Sequence, residues 1–403
     1  MSILFGHPTG NPNSHQAALA HFESSRLEAF CVPWFPSEAV LAYLRSFSPT
    51  RTMATRLGRR RFEPLAEAPK IQGRIGEIKR LVVRALGRGD EGLSYEANDW
   101  LMRTMARECN RPSVTAVHAY EDCSLLQFEE AKRRGKACIY DMPIGYYPAW
   151  QETENSLAKK FADWLPASGL ASHKYVRPEQ KRREMELADV VLVPSTFVER
   201  TIKRFIEKPC ARAQYGVDTD FWQPPAGPKK SDGLLRFIYV GQVSIRKGIP
   251  VLMEAWKRAA LRGAELHLVG SWLLADRIRN QLPANVHYSN ACSRQKLLGH
   301  YQSADVFLFP SFFEGFALVL LEAMACGLPL LASDAGGAAD IVEIDNGKVI
   351  SPGDVEAWTE ALREISAKRD DIPRLKKAAR EKACQCTWDR YRKAVSNAVV
   401  AYC

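Results

Sequence analysis

The sequence predicts an α/β protein of two domains, each built around a parallel sheet. Its 403 residues exceed what one ordinary core holds. In both halves, short apolar runs alternate with helical stretches, which is the rhythm of βαβ units. Between the halves, residues 209–233 are rich in Pro and Gly and predict a linker. We therefore expect domains at residues 1–215 and 234–387, with a hinge at residues 216–233.

The first half opens with an apolar strand at residues 3–6, a turn-rich loop and a helix over residues 16–23. Later strands are predicted at residues 113–119, 137–140 and 189–193, with helices at residues 125–134 and 196–207. Residues 35–110 are mostly helical in pattern and rich in Arg, so we expect them to be an excursion from the strand–helix alternation.

The second half repeats the alternation to about residue 382. Its strands are predicted at residues 236–240, 266–269 and 306–309, and its helices from about residue 250 and over residues 318–324. A final helix is predicted at residues 388–402, in the terminal segment 388–403. Because parallel strands end at one edge of a sheet, residues that follow these strands should line a common crevice.

Two glutamates mark that crevice in the second half. Glu314 lies in the loop after the strand at residues 306–309, and Glu322 lies one to two turns into the next helix. A carboxylate accepts hydrogen bonds and donates none when ionised, which suits ligands rich in hydroxyls, such as sugars and ribose. The pair therefore predicts a site for a hydroxylated ligand.

A second loop, VGQVSIRKG at residues 240–248, predicts an anion site. Gly241 and Gly248 allow close approach of the backbone to a ligand. Arg246 and Lys247 place two cations beside the start of a helix, where the helix dipole also favours negative charge. A fixed cation there stabilises a leaving diphosphate more than the bound ground state.

These strings resemble a known family. Residues 309–316 read FPSFFEGF, residues 322–329 read EAMACGLP and residues 333–337 read SDAGG, which closely resemble the E-x7-E signature of retaining glycosyltransferases of family 4. Residues 215–224, YGVDTDFWQP, resemble the family's hinge string. The loop at residues 241–248 resembles its G-R-x-S-x-x-K-G loop, with Gln242 where the family usually has Arg.

The resemblance implies the GT-B fold, in which two Rossmann-like domains face each other across a cleft and the C-terminal helix crosses back to the first domain. It implies that Glu314 contacts the transferred sugar, that Glu322 accepts hydrogen bonds from the donor ribose, and that Lys247 with Arg246 holds the diphosphate. The resemblance also assigns weaker donor contacts to Gly10, Gly241, Gln242, Gly270 and the backbone N–H groups of Phe316, Ala317 and Leu318.

In the first domain, the family commonly places a His near the acceptor and the reacting sugar, and this chain has Asp141 at that point. Asp141 could orient hydroxyls or accept a proton, although a strand-end cap explains it as well. His118, after an earlier strand, is a second catalytic candidate, with a structural histidine as the alternative. The sequence lacks a D-x-D flanked by strands and a His cluster, so we expect no metal and no cofactor beyond the nucleotide-sugar itself.

The net charge of +10 predicts attraction to anionic surfaces. Basic runs occupy residues 51–61, 70–88 and 174–183. We interpret them as solvated surface or as contacts with the inner face of an anionic membrane, and the last run as a candidate for holding an anionic acceptor. Nucleic acid is not expected as a partner, because aromatic residues are not interleaved with the basic residues and no binding motif accompanies them.

Localisation follows from three further observations. No apolar run approaches eighteen residues, and the first residues lack the basic and apolar segments of a signal peptide. The ten cysteines form no C-x2-C pair and are expected to be reduced thiols. We therefore expect a cytoplasmic protein that contacts the cell membrane peripherally.

The function that the resemblance implies is metal-independent transfer of a sugar from a nucleotide-diphosphate donor to a hydroxyl of a glycan or lipid-linked glycan, in cell-surface polysaccharide or lipopolysaccharide assembly. The alternatives are a non-catalytic GT-B subunit that binds glycan or a partner glycosyltransferase, and a nucleotide-sugar hydrolase or epimerase. Gln242 and Asp141, which depart from the family pattern, favour the non-catalytic alternative, whereas Glu314, Glu322 and Lys247 favour the enzyme.

Overall fold

The first domain is a seven-stranded parallel sheet. A computed structural model describes residues 1–85, 91–166, 177–227 and 233–402. The sheet order is β3-β2-β1-β4-β5-β6-β7. Its strands are β1 Ile3–Gly6, β2 Leu27–Val32, β3 Lys70–Gln72, β4 Ala116–Tyr120, β5 Ala137–Asp141, β6 Val190–Val193 and β7 Cys210–Arg212.

The described residues of the first domain also form nine α-helices. They are α1 Pro12–Glu23, α2 Glu38–Ser46, α3 Arg51–Gly58, α4 Arg74–Ala85, α5 Glu91–Glu108, α6 Leu125–Arg133, α7 Tyr147–Lys160, α8 Pro178–Leu187 and α9 Thr196–Lys203. Asn11 caps α1 by accepting from the Ser14 N–H while the Ser14 side chain accepts from the Asn11 N–H, so both ends of a capping box are formed.

The second domain is a six-stranded parallel sheet in the order β10-β9-β8-β11-β12-β13. Its strands are β8 Leu235–Val240, β9 Ala264–Val269, β10 Val286–Ser289, β11 Val306–Phe309, β12 Leu330–Ser333 and β13 Gly347–Ile350. Its helices are α10 Ile249–Ala259, α11 Asp276–Asn280, α12 Arg294–Ser303, α13 Leu318–Ala325, α14 Val355–Ala367 and α15 Ile372–Gln385, followed by α16 Trp388–Tyr402.

Both sheets have the doubly wound order, and each changes direction beside its first strand. The switch lies between β1 and β4 in the first sheet and between β8 and β11 in the second. Ligands of such sheets bind outside the carboxyl ends of the strands at this switch. The predicted two-domain α/β architecture is therefore confirmed.

The last helix packs on the first domain. From α16, Arg392 donates to the Gln16 side chain at 2.6 Å and pairs with Glu23 at 2.8 Å, so it joins α16 to α1. Tyr391 of α16 stacks edge-on against Tyr215 with ring centroids 5.6 Å apart. The predicted crossing of this helix to the first domain is confirmed over its described residues; Cys403 lies outside them.

The excursion at residues 35–110 contains α2 to α5, as its pattern predicts, but it also holds the short strand β3, which the sequence analysis missed. Glu77 on α4 is buried between Arg60 at 2.9 Å and Arg80 at 3.3 Å, and this group joins the end of α3 to α4. Leu41, Leu57 and Leu81 form a small separate core beneath these helices.

Several predicted boundaries need correction. The first helix begins at Pro12 and not at residue 16, the helix predicted to end at residue 207 ends at Lys203, and the strand predicted from residue 113 begins at Ala116. The stretch 209–233 is not all linker, because β7 pairs with β6. Residues 228–232 of the hinge, 86–88 of the second basic run and 174–176 of the third lie outside the described residues.

Three general properties concern the described part of the chain. None of its helices is both long and apolar enough to span a membrane. The nine cysteines within it are free thiols. Three hydrophobic clusters fill it: one extends from the first sheet into the second domain, one occupies the other face of the second sheet, and the small third one lies under α2 and α4.

Candidate functional site

Glu314 is the centre of a charged cluster in the cleft. It follows β11 in a loop and is 9% exposed. Its Oε1 accepts from Arg246 Nη1 at 2.6 Å, from Lys247 Nζ at 2.6 Å and from Ser311 Oγ at 3.0 Å. Two cations and one hydroxyl thus converge on a single carboxylate oxygen.

The two cations lie in the loop between β8 and α10, and that loop is held tightly. Gly248 caps α10 with φ +73°, and a Cβ there would lie 1.9 Å from the Pro310 carbonyl oxygen, so only glycine fits. The Arg246 carbonyl accepts from the Phe312 N–H at 2.9 Å. Burial lowers the pKa of Lys247, and Arg246 acts in the same direction, whereas Glu314 opposes them. The cluster stands beside the N-terminus of α10, which adds positive potential.

The first domain meets this cluster through the loop after β5. Ile144 forms an isolated antiparallel bridge with Gly315, and the Gly145 N–H donates to the Glu314 carbonyl at 3.3 Å. A Cβ on Gly315 would lie 1.6 Å from the Pro143 carbonyl oxygen, so this close approach of the two domains requires glycine. The loop that carries Asp141 at its start therefore rests on the backbone of Glu314.

Asp141 ends β5 within a buried polar chain. His118 Nε2 lies 3.5 Å from Asp141 Oδ2, and His118 Nδ1 lies 2.8 Å from His21 Nε2. Burial raises the pKa of Asp141 to about 7, with the Tyr120 hydroxyl acting in the opposite direction. Burial also lowers the pKa of His118 to about 3. His118 is fully buried and does not itself reach the surface of the cleft.

Glu322 lies on α13, one turn from its start, and is held by a partner that the sequence analysis did not identify. The Tyr301 hydroxyl of α12 donates to Glu322 Oε2 at 3.2 Å. Burial raises the pKa of Glu322 to about 7, while Tyr301 and Arg294 oppose that shift. A carboxyl with a pKa near neutrality changes its hydrogen-bonding capacity in the physiological pH range.

Gly241 and Gly270 mark the carboxyl ends of β8 and β9. The Gly241 N–H donates to the carbonyl that ends β9, and the Gly270 N–H donates to the carbonyl that ends β10, both at 2.9 Å. The Gln242 carbonyl accepts a hydrogen bond from the Tyr239 hydroxyl at 2.6 Å, and Gln242 is exposed. All three predicted positions therefore lie at the strand edge where a ligand would bind.

The remaining predicted donor contacts come from loops of both domains. Gly10 follows β1, and its N–H donates to His7 Nδ1 at 2.9 Å. Phe316 packs edge-on near Tyr215 at a centroid distance of 6.0 Å. The Ala317 N–H donates to the Gly336 carbonyl at 3.4 Å, and Leu318 is the first residue of α13.

Three side chains that fix this site were not predicted from the sequence: Ser311, Tyr301 and His7. Ser311 stands inside the motif string, so its place beside Glu314 could have been inferred. Tyr301 could not, because 21 residues separate it from its partner Glu322. In the described residues, no group of three or more His, Cys, Asp or Glu side chains is arranged to hold a metal ion.

Comparison with known families agrees with this geometry. Residues 220–382 match the family described as "Glycosyl transferases group 1". These residues include the cation loop, Glu314 and Glu322. The match lies almost wholly within the second domain and does not extend into the first sheet.

A curated relative is the MMP alpha-(1->4)-mannosyltransferase of Mycolicibacterium hassiacum. It is 29% identical over 218 residues, which are 51% of this chain and 52% of the relative. The chain spans about half or less of the length of the first curated relatives that it matches.

Two solved structures resemble the whole chain in fold. The sucrose-phosphate synthase of Thermosynechococcus elongatus superimposes with a TM-score of 0.66 at 18% identity and covers 100% of this chain and 98% of its own. Anabaena HepE in complex with UDP-glucose superimposes with a TM-score of 0.60 at 15% identity, with 100% of each chain covered. At these identities the likeness concerns the fold. The chain therefore has the GT-B fold, and its residues 220–382 are similar to the glycosyl transferases group 1 family.

Proposed function

We propose that this protein is a glycosyltransferase that moves a sugar from a nucleotide-diphosphate donor to a hydroxyl of a glycan or lipid-linked glycan. The observation that carries the proposal is the convergence of Arg246 and Lys247 on Glu314 beside the N-terminus of α10. The group 1 match over residues 220–382 supports it, as does the UDP-glucose bound to HepE, a protein of the same fold.

The donor diphosphate would take the place beside Arg246 and Lys247. A diphosphate brings about two negative charges, and the two cations with the α10 dipole offer complementary potential. As the bond to the sugar breaks, more negative charge collects on the leaving phosphate, so the same cations stabilise the transition state more than the ground state. This arrangement needs no divalent metal, and we include metal independence in the proposal.

The chemical step that we propose retains the anomeric configuration. The bond between the anomeric carbon and the diphosphate oxygen breaks, and its electron pair leaves with the nucleoside diphosphate. The acceptor hydroxyl oxygen forms the new bond on the same face, and its proton passes to the departing phosphate oxygen. Glu314 orients sugar hydroxyls during this step, and Glu322 accepts hydrogen bonds from the donor ribose.

The first domain would hold the acceptor. Asp141 begins the loop that rests on the Glu314 backbone, so an acceptor bound against this loop lies close to the sugar. We propose that Asp141 orients acceptor hydroxyls and that His118 and His21 position Asp141. The cell process that we propose is polysaccharide or lipopolysaccharide assembly on the cytoplasmic side of the membrane, in keeping with the free thiols.

The proposal is tested by thermal shifts of the purified protein with UDP-, GDP-, dTDP- and ADP-sugars in the presence of EDTA. One nucleotide class should raise the melting temperature, because a ligand that binds only the folded state stabilises it. The absence of any shift would contradict the proposal and favour a non-catalytic GT-B subunit. In that case, a shift gained by Gln242→Arg would identify the departure at this position as the cause. Donor cleavage without an acceptor would indicate a hydrolase or epimerase.

A further inference from the structure

The helices α2, α3 and α4 of the first domain expose an apolar groove that the sugar-transfer site does not use. Its volume is about 460 Å³, and its lining is almost wholly apolar. Tyr43 of α2 and Ile78 and Val82 of α4 form part of the wall, yet they are 66%, 47% and 50% exposed. Ile75, one turn before Ile78, is 86% exposed. An exposed apolar patch of this kind marks a surface that binds something.

A second pocket, of about 240 Å³, adjoins the groove and is basic. The two share Trp34 and Val40 as walls, and Arg61, Lys70 and Arg74 line the smaller one. Lys70 Nζ donates to two backbone carbonyls, at 2.6 and 2.7 Å, and stands 4.9 Å from the centroid of the Phe35 ring, which also lines this pocket. An apolar groove thus continues into a cationic pocket.

The segment that forms the groove, residues 35–85, carries most of the net positive charge of the chain. Residues 35–85 hold eleven Lys or Arg and four Glu, a balance of +7, whereas the whole chain carries +10. Three of the four carboxylates are engaged locally: Glu38 and Glu63 pair with Arg45 or Arg61, and Glu77 is buried with its two arginines. The fourth, Glu67, is exposed; burial lowers the pKa of Lys70, and Glu67 opposes this lowering.

Exposed arginines on and beside these helices therefore remain for an external partner. Arg56 lies on α3, whose Met53 lines the groove, Arg59 directly follows α3, and Arg74 begins α4. None of the three forms an ion pair with a carboxylate in the ranges that the structure describes. A second copy of the chain is a poor occupant, because it would bring the same positive face against this one.

We propose that α2, α3 and α4 form a docking site for anionic phospholipids of a bilayer, with hydrocarbon against the apolar groove and lipid phosphate in the basic pocket. Amphipathic helices with cations beside an apolar face bind the membrane interface through buried apolar area and attraction to anionic lipids. The Arg60–Glu77–Arg80 group joins α3 to α4, so the docking site is formed before it meets lipid. This inference concerns lipid binding alone and does not depend on the sugar-transfer proposal.

Vesicle flotation of the full chain tests the proposal. Vesicles of phosphatidylcholine with phosphatidylglycerol should carry the protein to the top of the gradient, and vesicles of phosphatidylcholine alone should carry much less. High salt should weaken the binding, because it screens the charges outside the pocket. Equal binding to both vesicle types, or binding to neither, would overturn the proposal.

Two sets of variants separate the groove from the basic pocket. Ile78→Gln combined with Val82→Gln should lower partitioning at least about tenfold, because the apolar contact is lost. Arg74→Gln should lower it about fivefold and reduce its dependence on salt. Ile344→Gln, at a 95% exposed position of the second domain, and Arg374→Gln, on the exposed side of α15, are the matched controls and should bind as wild type does.

A folding control keeps this experiment decisive. The groove positions are exposed, so the variants should keep the wild-type melting temperature and any shift with a nucleotide-sugar. Should the double variant fold poorly, Tyr43→Ser at its 66% exposed position replaces it. Folded variants that float as well as wild type would show that the groove does not bind the bilayer.

Discussion

At the scale of residues, Glu314 and a donor diphosphate compete for the same cations. In the structure, Arg246 and Lys247 both direct a proton to Oε1 of Glu314. Phosphate oxygens accept such hydrogen bonds equally well. We expect the donor to draw the cations toward its diphosphate and so to free Glu314 Oε1 for a sugar hydroxyl. The ion cluster would then preorganise the site for the donor and also couple diphosphate binding to sugar binding.

Lys247→Ala tests this competition. Loss of a charged donor to the diphosphate should weaken binding of the nucleoside diphosphate by about 10- to 100-fold, because hydrogen bonds to charged groups contribute about 1.5–3 kcal/mol. The melting temperature should fall by only a few degrees, since Arg246 still pairs with Glu314. Titration calorimetry measures the affinity, and Lys257→Ala, exposed on α10, is the control. Unchanged affinity in Lys247→Ala would remove Lys247 from the diphosphate site.

The buried carboxyl of Asp141 predicts a pH dependence of stability. Burial raises its pKa from 3.8 to about 7, so the folded state holds the proton more tightly than the unfolded state. The protonated Asp141 carboxyl stabilises the folded state fully below pH 4, and this stabilisation is lost as the pH rises toward 7. As the pH rises from 5 to 8, the free energy of unfolding of wild type should fall by about 3 kcal/mol. The Asp141→Asn variant should not show this fall.

Melting curves of both proteins at pH 5 and pH 8 measure this difference. The melting temperature of Asp141→Asn should rise relative to wild type as the pH increases. Asp220→Asn, at an exposed position, should follow wild type at every pH. A constant gap between Asp141→Asn and wild type would contradict this prediction, because it would show that folding is not coupled to titration of Asp141 in this pH range.

At the scale of elements, the turn from β8 into α10 determines the positions of Arg246 and Lys247. Gly248 adopts φ +73° against the Pro310 carbonyl, and this turn directs the preceding Arg246 and Lys247 toward Glu314. A side chain at residue 248 would push the loop between β8 and α10 away from the loop that follows β11. The position of the cations thus depends on a residue with no polar side chain.

Gly248→Ala should therefore reduce both stability and donor binding. The added Cβ would lie 1.9 Å from the Pro310 oxygen in a conformation that L-residues rarely adopt, so the loop must shift. Gly299→Ala is the matched control, because a Cβ there meets nothing within 4 Å inside α12 and should stabilise by about 0.5–1 kcal/mol. Thermal melts with and without nucleotide measure both effects, and a wild-type response of Gly248→Ala would contradict this account.

The elements that the sequence predicted well are those with long or strongly apolar patterns. Strands β1 and β11 and helix α16 lie where they were expected. Six strands were not predicted: β2, β3, β7, β10, β12 and β13. Of these, β3 and β7 have three residues each, and the charged residues Lys70 and Arg212 shorten their apolar pattern. Both are outer strands of the first sheet, where only one neighbour supplies hydrogen bonds. Their pairing depends on tertiary contacts that local sequence does not encode.

The candidate site was predictable only in part, for the same reason. Motif spacing predicted Glu314, Glu322 and Lys247 as site residues, and they lie in the loop after β11, on α13 and in the loop after β8. The Tyr301 contact with Glu322 and the His21–His118–Asp141 chain join residues that are far apart in sequence. Such pairs arise from the packing of helices on sheets, which no local pattern specifies.

At the scale of the whole molecule, the two domains meet where the proposed chemistry occurs. The Ile144–Gly315 bridge places first-domain backbone directly on the loop of Glu314. The described structure is therefore closed at this point. We expect transfer to need this contact, because it brings an acceptor on the first domain to a donor on the second.

Gly315→Ala should open the cleft. A Cβ at residue 315 would lie 1.6 Å from the Pro143 carbonyl oxygen, so the loops must separate. We expect nucleotide binding within about threefold of wild type, because a change of about 0.6 kcal/mol corresponds to that factor, while sugar transfer is lost. Small-angle scattering should show a larger radius of gyration than for wild type or Gly299→Ala. A closed variant with full activity would show that this contact is not required.

The central claim is that the protein transfers sugar from a nucleotide donor through the Glu314 site, and one measurement tests it most directly. Radiolabelled donor of the nucleotide class that raises the melting temperature is incubated with a lipid and glycan extract and either wild type or Glu314→Gln. We predict label in the glycan fraction with wild type and at least about a hundredfold less with Glu314→Gln, the loss typical of an electrostatic site residue. No incorporation by wild type, or equal incorporation by both proteins, would contradict the claim.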